Sequence, residues 1–282
     1  MWIFKQVADL QLKISQWKAE GKTVGFVPTM GALHAGHVSL LQAAKTDIRV
    51  CSIFVNPTQF NDATDLEKYP RTPEADISLL LDSQSCDLLF MPPVEEVYPP
   101  NFIPKHFDFG PLAKVMEGAF RPGHFDGMAQ VVNRLLDIVQ PHELYMGQKD
   151  FQQVSIVAEM LFLLDSPIKL VVVPTLREAD GLAMSSRNVR LNAEERAKAP
   201  IIYAQLTEAK KAMLLGEPIP TAMDKIKIAL LAAGGFEPEY MTVVDGKTLQ
   251  PLSQLHDSDY AVLCLATWLG KVRLIDNVVV KR

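Results

Sequence analysis

An α/β protein with a Rossmann-like parallel sheet flanked by helices, followed by a second, smaller α+β domain, is the fold class this sequence predicts. Three observations carry it. Apolar runs alternate with amphipathic segments as far as about residue 190. A glycine-bearing turn, Pro28-Thr29-Met30-Gly31-Ala32-Leu33-His34-Ala35-Gly36-His37, joins a strand-like run to a helix-like one. After residue 193 the texture changes to two charged amphipathic helices and three strand-like runs. Strand–helix alternation implies right-handed crossovers, and so a parallel sheet with helices on both faces.

The strands of the first part are expected at Val24–Val27, Arg49–Val55, Asp87–Met91, Glu143–Tyr145 and Lys169–Val173, each a short apolar run bounded by polar or glycine-rich sequence. Helices are expected between them, over 3–20, 37–46, 73–84, 126–140 and 150–164. Further on, helices are expected over 193–215 and 221–233, then strands at Tyr240–Val244, Ala261–Leu265 and Val272–Val280, with Gly270-Lys271 as a hairpin turn. The boundary falls near Asn188–Ala193, which divides the chain into 1–188 and 189–282.

Composition narrows the class. Of 282 residues 48% are hydrophobic and 22% charged, and the net charge is −5, which argues against a surface built mainly for nucleic acid. No apolar run approaches the ~18 residues of a membrane span, and the first residues lack the apolar core of a signal peptide. Cys51, Cys86 and Cys264 are far apart in apolar runs and read as reduced core residues of a cytoplasmic protein.

In parallel sheets ligands sit at the carboxyl ends of the strands, so the polar residues just after them are candidates. His34 and His37 open the first helix, where free N–H groups point at an anion. A phosphate is the reading that fits best; a shared metal would need a third or fourth ligand, and no nearby cluster supplies one. Gly147-Gln148-Lys149-Asp150 follows a strand, with Lys149 as a compact cation for phosphate and Asp150 as a helix N-cap. Met184-Ser185-Ser186-Arg187-Asn188 reads either as a loop or as a mobile phosphate clamp. The amides of Asn56, Gln59 and Gln153 suit a small substrate bearing hydroxyls and a carboxylate, or are solvated loop residues. There is no Gly-x-x-x-x-Gly-Lys-[Ser/Thr] and no Gly-x-Gly-x-x-Gly after the first strand, which removes P-loop and dinucleotide sites.

Thr29-Met30-Gly31-Ala32-Leu33-His34-x-Gly36-His37 resembles the HIGH-type signature of the nucleotidyltransferase superfamily, and Ser185-Ser186-Arg187 its second phosphate-clamping motif. With Phe54–Phe60, Tyr69-Pro70-Arg71-Thr72, Gly147–Gln153 and Asp180–Asn188, the chain resembles the pantoate–β-alanine ligase (pantothenate synthetase) family along nearly its whole length. One departure is Gln148, where glutamate is expected. The resemblance implies a ligase that adenylates pantoate with ATP and Mg²⁺ and passes the acyl group to β-alanine, releasing pyrophosphate and AMP. It implies His34, His37, Lys149, Ser185, Ser186 and Arg187 as the catalytic set. ATP would also meet Thr29, Met30, Gly31, Gly36, Gly147, Gln148, Asp150, Met184 and, through its backbone, Leu176. Pantoate or β-alanine would meet Gln59, Gln153, Asn56 and Arg121, and Asp76 would be an outer metal contact. The family likeness further implies a homodimer through the first domain, a second domain acting as a lid, and no nucleic-acid or membrane partner. A transferase that keeps its product as a nucleotide conjugate, an ATP-sensing module and a tRNA synthetase are the alternatives.

Overall fold

The computed structural model describes residues 1–60 and 66–282. Six strands, β1 (Trp2–Phe4), β2 (Val24–Thr29), β3 (Ile48–Ile53), β4 (Leu88–Phe90), β5 (Glu143–Gly147) and β6 (Lys169–Val173), form one parallel sheet in the order β1-β4-β3-β2-β5-β6. From β2 the chain winds outward through β3 to β4, then returns to the other side of β2 with β5. The order therefore reverses between β2 and β5, which is where a crevice opens at the carboxyl ends of such a sheet.

The inner strands β2–β5 are buried on both faces, whereas the edge strands β1 and β6 are partly exposed, and the buried side chains sort by the two-residue period of a pleated strand. Phe26, Val50, Leu88, Phe90, Leu144 and Met146 pack with helices α1 (Val7–Ala19), α4 (His124–Val139) and α5 (Phe151–Leu163). Their neighbours Val27, Cys51, Leu89 and Tyr145 pack with Leu40 and Leu41 of α2 (Ala35–Ala43) and Leu80 of α3 (Pro73–Ser83). Short helices at Val94–Val97 and Glu117–Phe120 lie in the long connection before α4.

The second sheet is antiparallel, β7 (Phe236–Asp245), β8 (Ala261–Leu269) and β9 (Val272–Lys281), in that order, with the two-residue turn Gly270-Lys271 between β8 and β9. One face of β8, Ala261, Leu263 and Leu265, packs with helices α7 (Ile201–Leu214) and α8 (Ile219–Ala233). The other face, Val262 and Cys264, packs on Met116 and Phe151 of the first part. Leu182 already belongs to the second core, ahead of α6 (Ala193–Lys198). The three cysteines are free and buried. No described helix is long and apolar enough to cross a membrane.

Two expectations for elements change. The helix expected from residue 3 starts at Val7, because Trp2–Phe4 pairs in parallel with Leu88–Phe90 as an edge strand; three residues are too short for periodicity to reveal. The helix expected over 193–215 is two, Ala193–Lys198 and Ile201–Leu214, broken where Pro200 lacks an amide donor.

Gly127 shows how a helix admits the loop after β3. A Cβ there would lie 2.3 Å from the carbonyl oxygen of Thr58 and 2.9 Å from Gln59 Cα. Helix propensity alone gives Ala an advantage of ~1 kcal/mol over Gly. Overpacking costs ~1–3 kcal/mol, and the obstacle here is backbone, which cannot rotate aside. Gly127→Ala is therefore expected to lower the melting temperature, with displacement of Gln59, and thermal denaturation checks it; an unchanged or raised midpoint would mean the loop yields freely.

Candidate active site

The crevice at the β2–β5 switch point is a cavity of about 710 Å³, inside the ~300–1,000 Å³ range of small-molecule sites. Its wall comes from the ends of β2 (Thr29, Met30), β5 (Gly147) and β6 (Thr175), from the start of α2, and from the far side by β7–β9.

The turn after β2 is held by a buried carboxylate. Gly31 and Ala32 both have left-handed backbone, φ 82° and 49°. A Cβ on Gly31 would meet Ile53 Cγ2 at 2.9 Å, so glycine is required there. The N–H of Ala32 donates to Asp76 Oδ2 at 2.9 Å and that of Leu33 to Oδ1 at 2.8 Å, with the Thr72 hydroxyl on Oδ1 at 3.1 Å. Asp76 is only 2% exposed and does not line the cavity. The outer metal contact expected of it is thus replaced by a brace for the turn. Among the described residues no group of three or more His, Cys, Asp or Glu converges to hold a metal.

Beyond the turn, the two histidines cap α2 reciprocally. The Gly36 N–H donates to His34 Nδ1 at 3.1 Å, and the His34 N–H to His37 Nδ1 at 3.3 Å. The ring centroids are 4.1 Å apart. Burial, then Lys149, lowers the His34 imidazole to about 4 against the opposing pull of Asp150; burial, then His34 and Lys149, lowers His37 to about 3. Both rings are therefore neutral at pH 7. With each Nδ1 accepting, each ring proton sits on Nε2. The histidines offer neutral N–H donors, and positive charge comes from elsewhere.

That charge stands on the neighbouring segments. Lys149 lines the cavity and pairs at 3.9 Å with Asp150. Asp150 holds the N-cap position of α5, but its side chain makes no capping bond. Arg187 lies 5.8 Å from the Tyr69 ring centroid. Its N–H donates to Ser185 Oγ at 3.3 Å, and Ser186 Oγ is 3.4 Å from the Tyr69 hydroxyl. The loop carrying them closes through Met184 N–H to Leu176 O at 3.1 Å. Leu176 and Met184 both line the cavity.

Of the amide candidates, Gln59 and Gln153 line the cavity. Asn56 does not: it is 1% exposed, and its Nδ2 donates to Gln59 Oε1 at 3.3 Å and to Gly127 O at 3.2 Å, while Oδ1 accepts from the Tyr98 hydroxyl at 2.9 Å. It orients Gln59 rather than facing a ligand. The neighbour of Gln153, Gln152, is buried and bonded to Leu112 O, Val115 O and Glu117 N–H. Gly31 and Gln148 also lie outside the cavity wall; the Gln148 amide donates to Asn277 Oδ1 at 3.3 Å.

Sequence reasoning missed a charged ladder on the far wall. Arg121, on the wall as expected, is 3.7 Å from Glu117. Glu117 takes both Arg273 Nη atoms at 2.8 Å and the Tyr240 hydroxyl at 2.8 Å, and Arg273 also donates to Glu239. Burial would raise the Glu117 carboxyl, but hydrogen bonding to and charge from Arg273 outweigh it and the net shift is downward. Glu117 lies at a one-turn helix with no periodic signal, and Arg273 sits in a strand 156 residues away. Only the fold unites them.

The comparisons agree with this architecture. The sequence profile of the pantoate–β-alanine ligase family matches residues 2–279. The chain is 50% identical over 281 residues to a pantothenate synthetase of Porphyromonas gingivalis, covering 99% of each. It is 46% identical over 280 residues to one of Bacteroides thetaiotaomicron, covering 99% of this chain and 98% of that one. It is similar to the crystal structure of pantothenate synthetase from Thermus thermophilus, with TM-score 0.93, 42% identity and full coverage of both. A pantoate–β-alanine ligase from Francisella tularensis, complexed with β,γ-ATP and β-alanine, matches with TM-score 0.82 and 34% identity over 99% of this chain and 98% of that one. The fold is that of a ligase family. The chain belongs to the pantoate–β-alanine ligase family.

The histidine cap has a pH signature. An unfolded imidazole takes a proton near 6.5, while these two resist protonation until about 4 and 3. Between those limits the unfolded chain binds more protons, so stability is full above pH 6.5 and falls as pH drops toward 3. Urea midpoints at pH 7 and pH 4.5 are expected to differ less in a His34→Gln/His37→Gln variant than in the native chain. His124, lowered to about 4 chiefly by burial, leaves a residual slope in both. Equal pH slopes would contradict neutral capping.

Proposed function

We propose that this chain forms pantothenate from pantoate and β-alanine through a pantoyl-adenylate held between β2, β5 and the second sheet. The observation that carries the reading is that one cavity wall gathers His34, His37, Lys149, Ser185, Ser186 and Arg187 together with Gln59 and Gln153. In the first step a pantoate carboxylate oxygen attacks the α-phosphorus of ATP and pyrophosphate leaves. A carboxylate is ionised at neutral pH, so no general base is needed. In the second, the β-alanine amine attacks the acyl carbon, the C–O bond to AMP breaks, and the amine proton passes to solvent.

In the first step the residues therefore have charge to stabilise rather than a proton to remove. Preorganised donors contribute ~10²–10³-fold each, whereas a helix terminus gives ~0.3–1 kcal/mol. Side chains thus carry more of the barrier reduction than the α2 dipole. Lys149 and Arg187 meet the growing phosphoryl charge; the Ser185 and Ser186 hydroxyls and the two imidazole Nε2–H groups donate to its oxygens. Gln59, oriented by Asn56, and Gln153 hold pantoate without a competing charge, and Arg121 stands nearby. Thr29, Met30, Gly36, Gly147, Asp150, Leu176 and Met184 shape the nucleotide pocket. Magnesium favours substrate phosphates over all-protein cages, and the described residues offer no such cage. Mg²⁺ would come with ATP and neutralise its phosphates.

The reading extends to organisation. Residues 1–188 act as the catalytic domain and 189–282 as a lid that keeps water from the acyl adenylate. The enzyme works as a cytoplasmic homodimer through its first domain, without nucleic-acid or membrane partners.

Incubation with ATP, Mg²⁺, pantoate and β-alanine, omitting each in turn, tests the scheme. Pyrophosphate is expected without β-alanine, and AMP only with it; pyrophosphate that waits for the amine would exclude an adenylate intermediate. His37→Ala removes one cap, worth ~0.5–2 kcal/mol, so it is expected to fold. Its pyrophosphate release should fall at least about tenfold, as loss of an oxyanion donor does. Lys149→Ala is expected to impair the ATP-dependent step more than the reaction of β-alanine with preformed pantoyl adenylate, as single-turnover assays of each step would register.

A further inference from the structure

Asp276 and Asn277 lie in mid-strand in β9, opposite Leu265 and Cys264 of β8, and each is only 4% exposed. Burying a carboxylate and a carboxamide is costly unless both are fully hydrogen-bonded. Here the partners come from outside their own sheet. The Arg177 guanidinium donates to both Asp276 oxygens, at 2.6 and 2.9 Å. Asn277 Nδ2 donates to the carbonyl oxygens of Gln148 and Lys149, both at 3.0 Å, and its Oδ1 accepts from Gln148 Nε2. Within the pair, the Asn277 N–H donates to Asp276 Oδ1 at 2.8 Å.

These partners flank the phosphate-facing side chains. The two carbonyls held by Asn277 belong to the peptide planes on either side of the Lys149 Cα. Fixing both planes fixes the direction in which the Lys149 stem leaves the backbone. Arg177 donates to Gly181 O at 3.2 Å, lies 3.6 Å from the Tyr203 ring centroid, and forms a bridge pair with Ala183 at the root of the Met184–Arg187 loop.

We propose that Asn277 is a positioning residue for Lys149, and that with Asp276 it sets the spacing between the two segments that grip the nucleotide. The dipeptide ties the second sheet to Gly147–Asp150 and to Arg177–Arg187 at once, so the far wall of the cavity dictates where the ammonium stands. The inference rests on the adenylating role assigned above to Lys149.

The test is a double-mutant cycle read on pyrophosphate release. Asn277→Ala is expected to lower kcat/KM for ATP about tenfold, the scale of a small misplacement of a reacting group, and to leave KM for pantoate within about twofold. Added to Lys149→Ala, it should cost less than about twofold, because the group it positions is gone. Asn277→Asp, which keeps the shape but removes both donated hydrogen bonds, should lose at least as much as Asn277→Ala. Full additivity with Lys149→Ala, or a rise in KM for pantoate as large as the fall in kcat/KM for ATP, would overturn the proposal. So would failure of both Asn277 variants to fold, since the residue would then be structural only. A native chain that releases no pantoate-dependent pyrophosphate would instead overturn the adenylate reading itself.

Discussion

The placement of His34 and His37 in the cavity depends on how the chain leaves β2. Two consecutive left-handed residues and an uncapped helix start would strand several N–H groups in a partly buried place. Asp76 accepts two of them, and the paired imidazoles accept two more. Satisfying these donors is obligatory, because an unpaired buried amide costs as much as a lost hydrogen bond. The solution fixes the rings by their Nδ1 atoms and leaves Nε2–H as the remaining donor. The same constraint that closes the turn thus prepares the site.

Much of this was legible in the sequence. The strand–helix alternation gave the parallel sheet because both faces of the inner strands are apolar, as at Phe26 and Val27. The glycine-bearing turn, Lys149 and the Ser185–Arg187 loop follow strands, so the rule that ligands gather at strand ends brought them to one cavity. What stayed hidden has physical causes. Trp2–Phe4 is too short for a period. Asn56 and Gln59 are alike as residue types and three apart, and only their placement in the fold separates the orienting amide from the one on the cavity wall. Asp76 is an expected outer metal contact, and only the fold shows the turn it braces. Asp276-Asn277 did leave a trace, two polar residues interrupting an apolar strand, but a sequence does not say which segment satisfies them.

The electrostatics of the two walls differ in kind. On the β2–β5 side, neutral imidazoles stand beside Lys149 and Arg187, so positive charge comes from lysine and arginine and not from the rings. On the opposite side Arg121, Glu117, Arg273 and Glu239 alternate in sign. Alternation keeps that wall near neutral while joining the short helix Glu117–Phe120 to the second sheet. Ion pairs with little exposure contribute modest net stability, because desolvation offsets their attraction. Here they tie the short helix Glu117–Phe120 to β7 and β9.

The second sheet is covered on both sides: by α7 and α8 on one, and on the other by Met116 and Phe151 against Val262 and Cys264. Detached from its host, the C-terminal fragment would present that oily side to water and invite self-association. A closing motion that preserves this seam must be a small pivot about it, not a hinge that swings free.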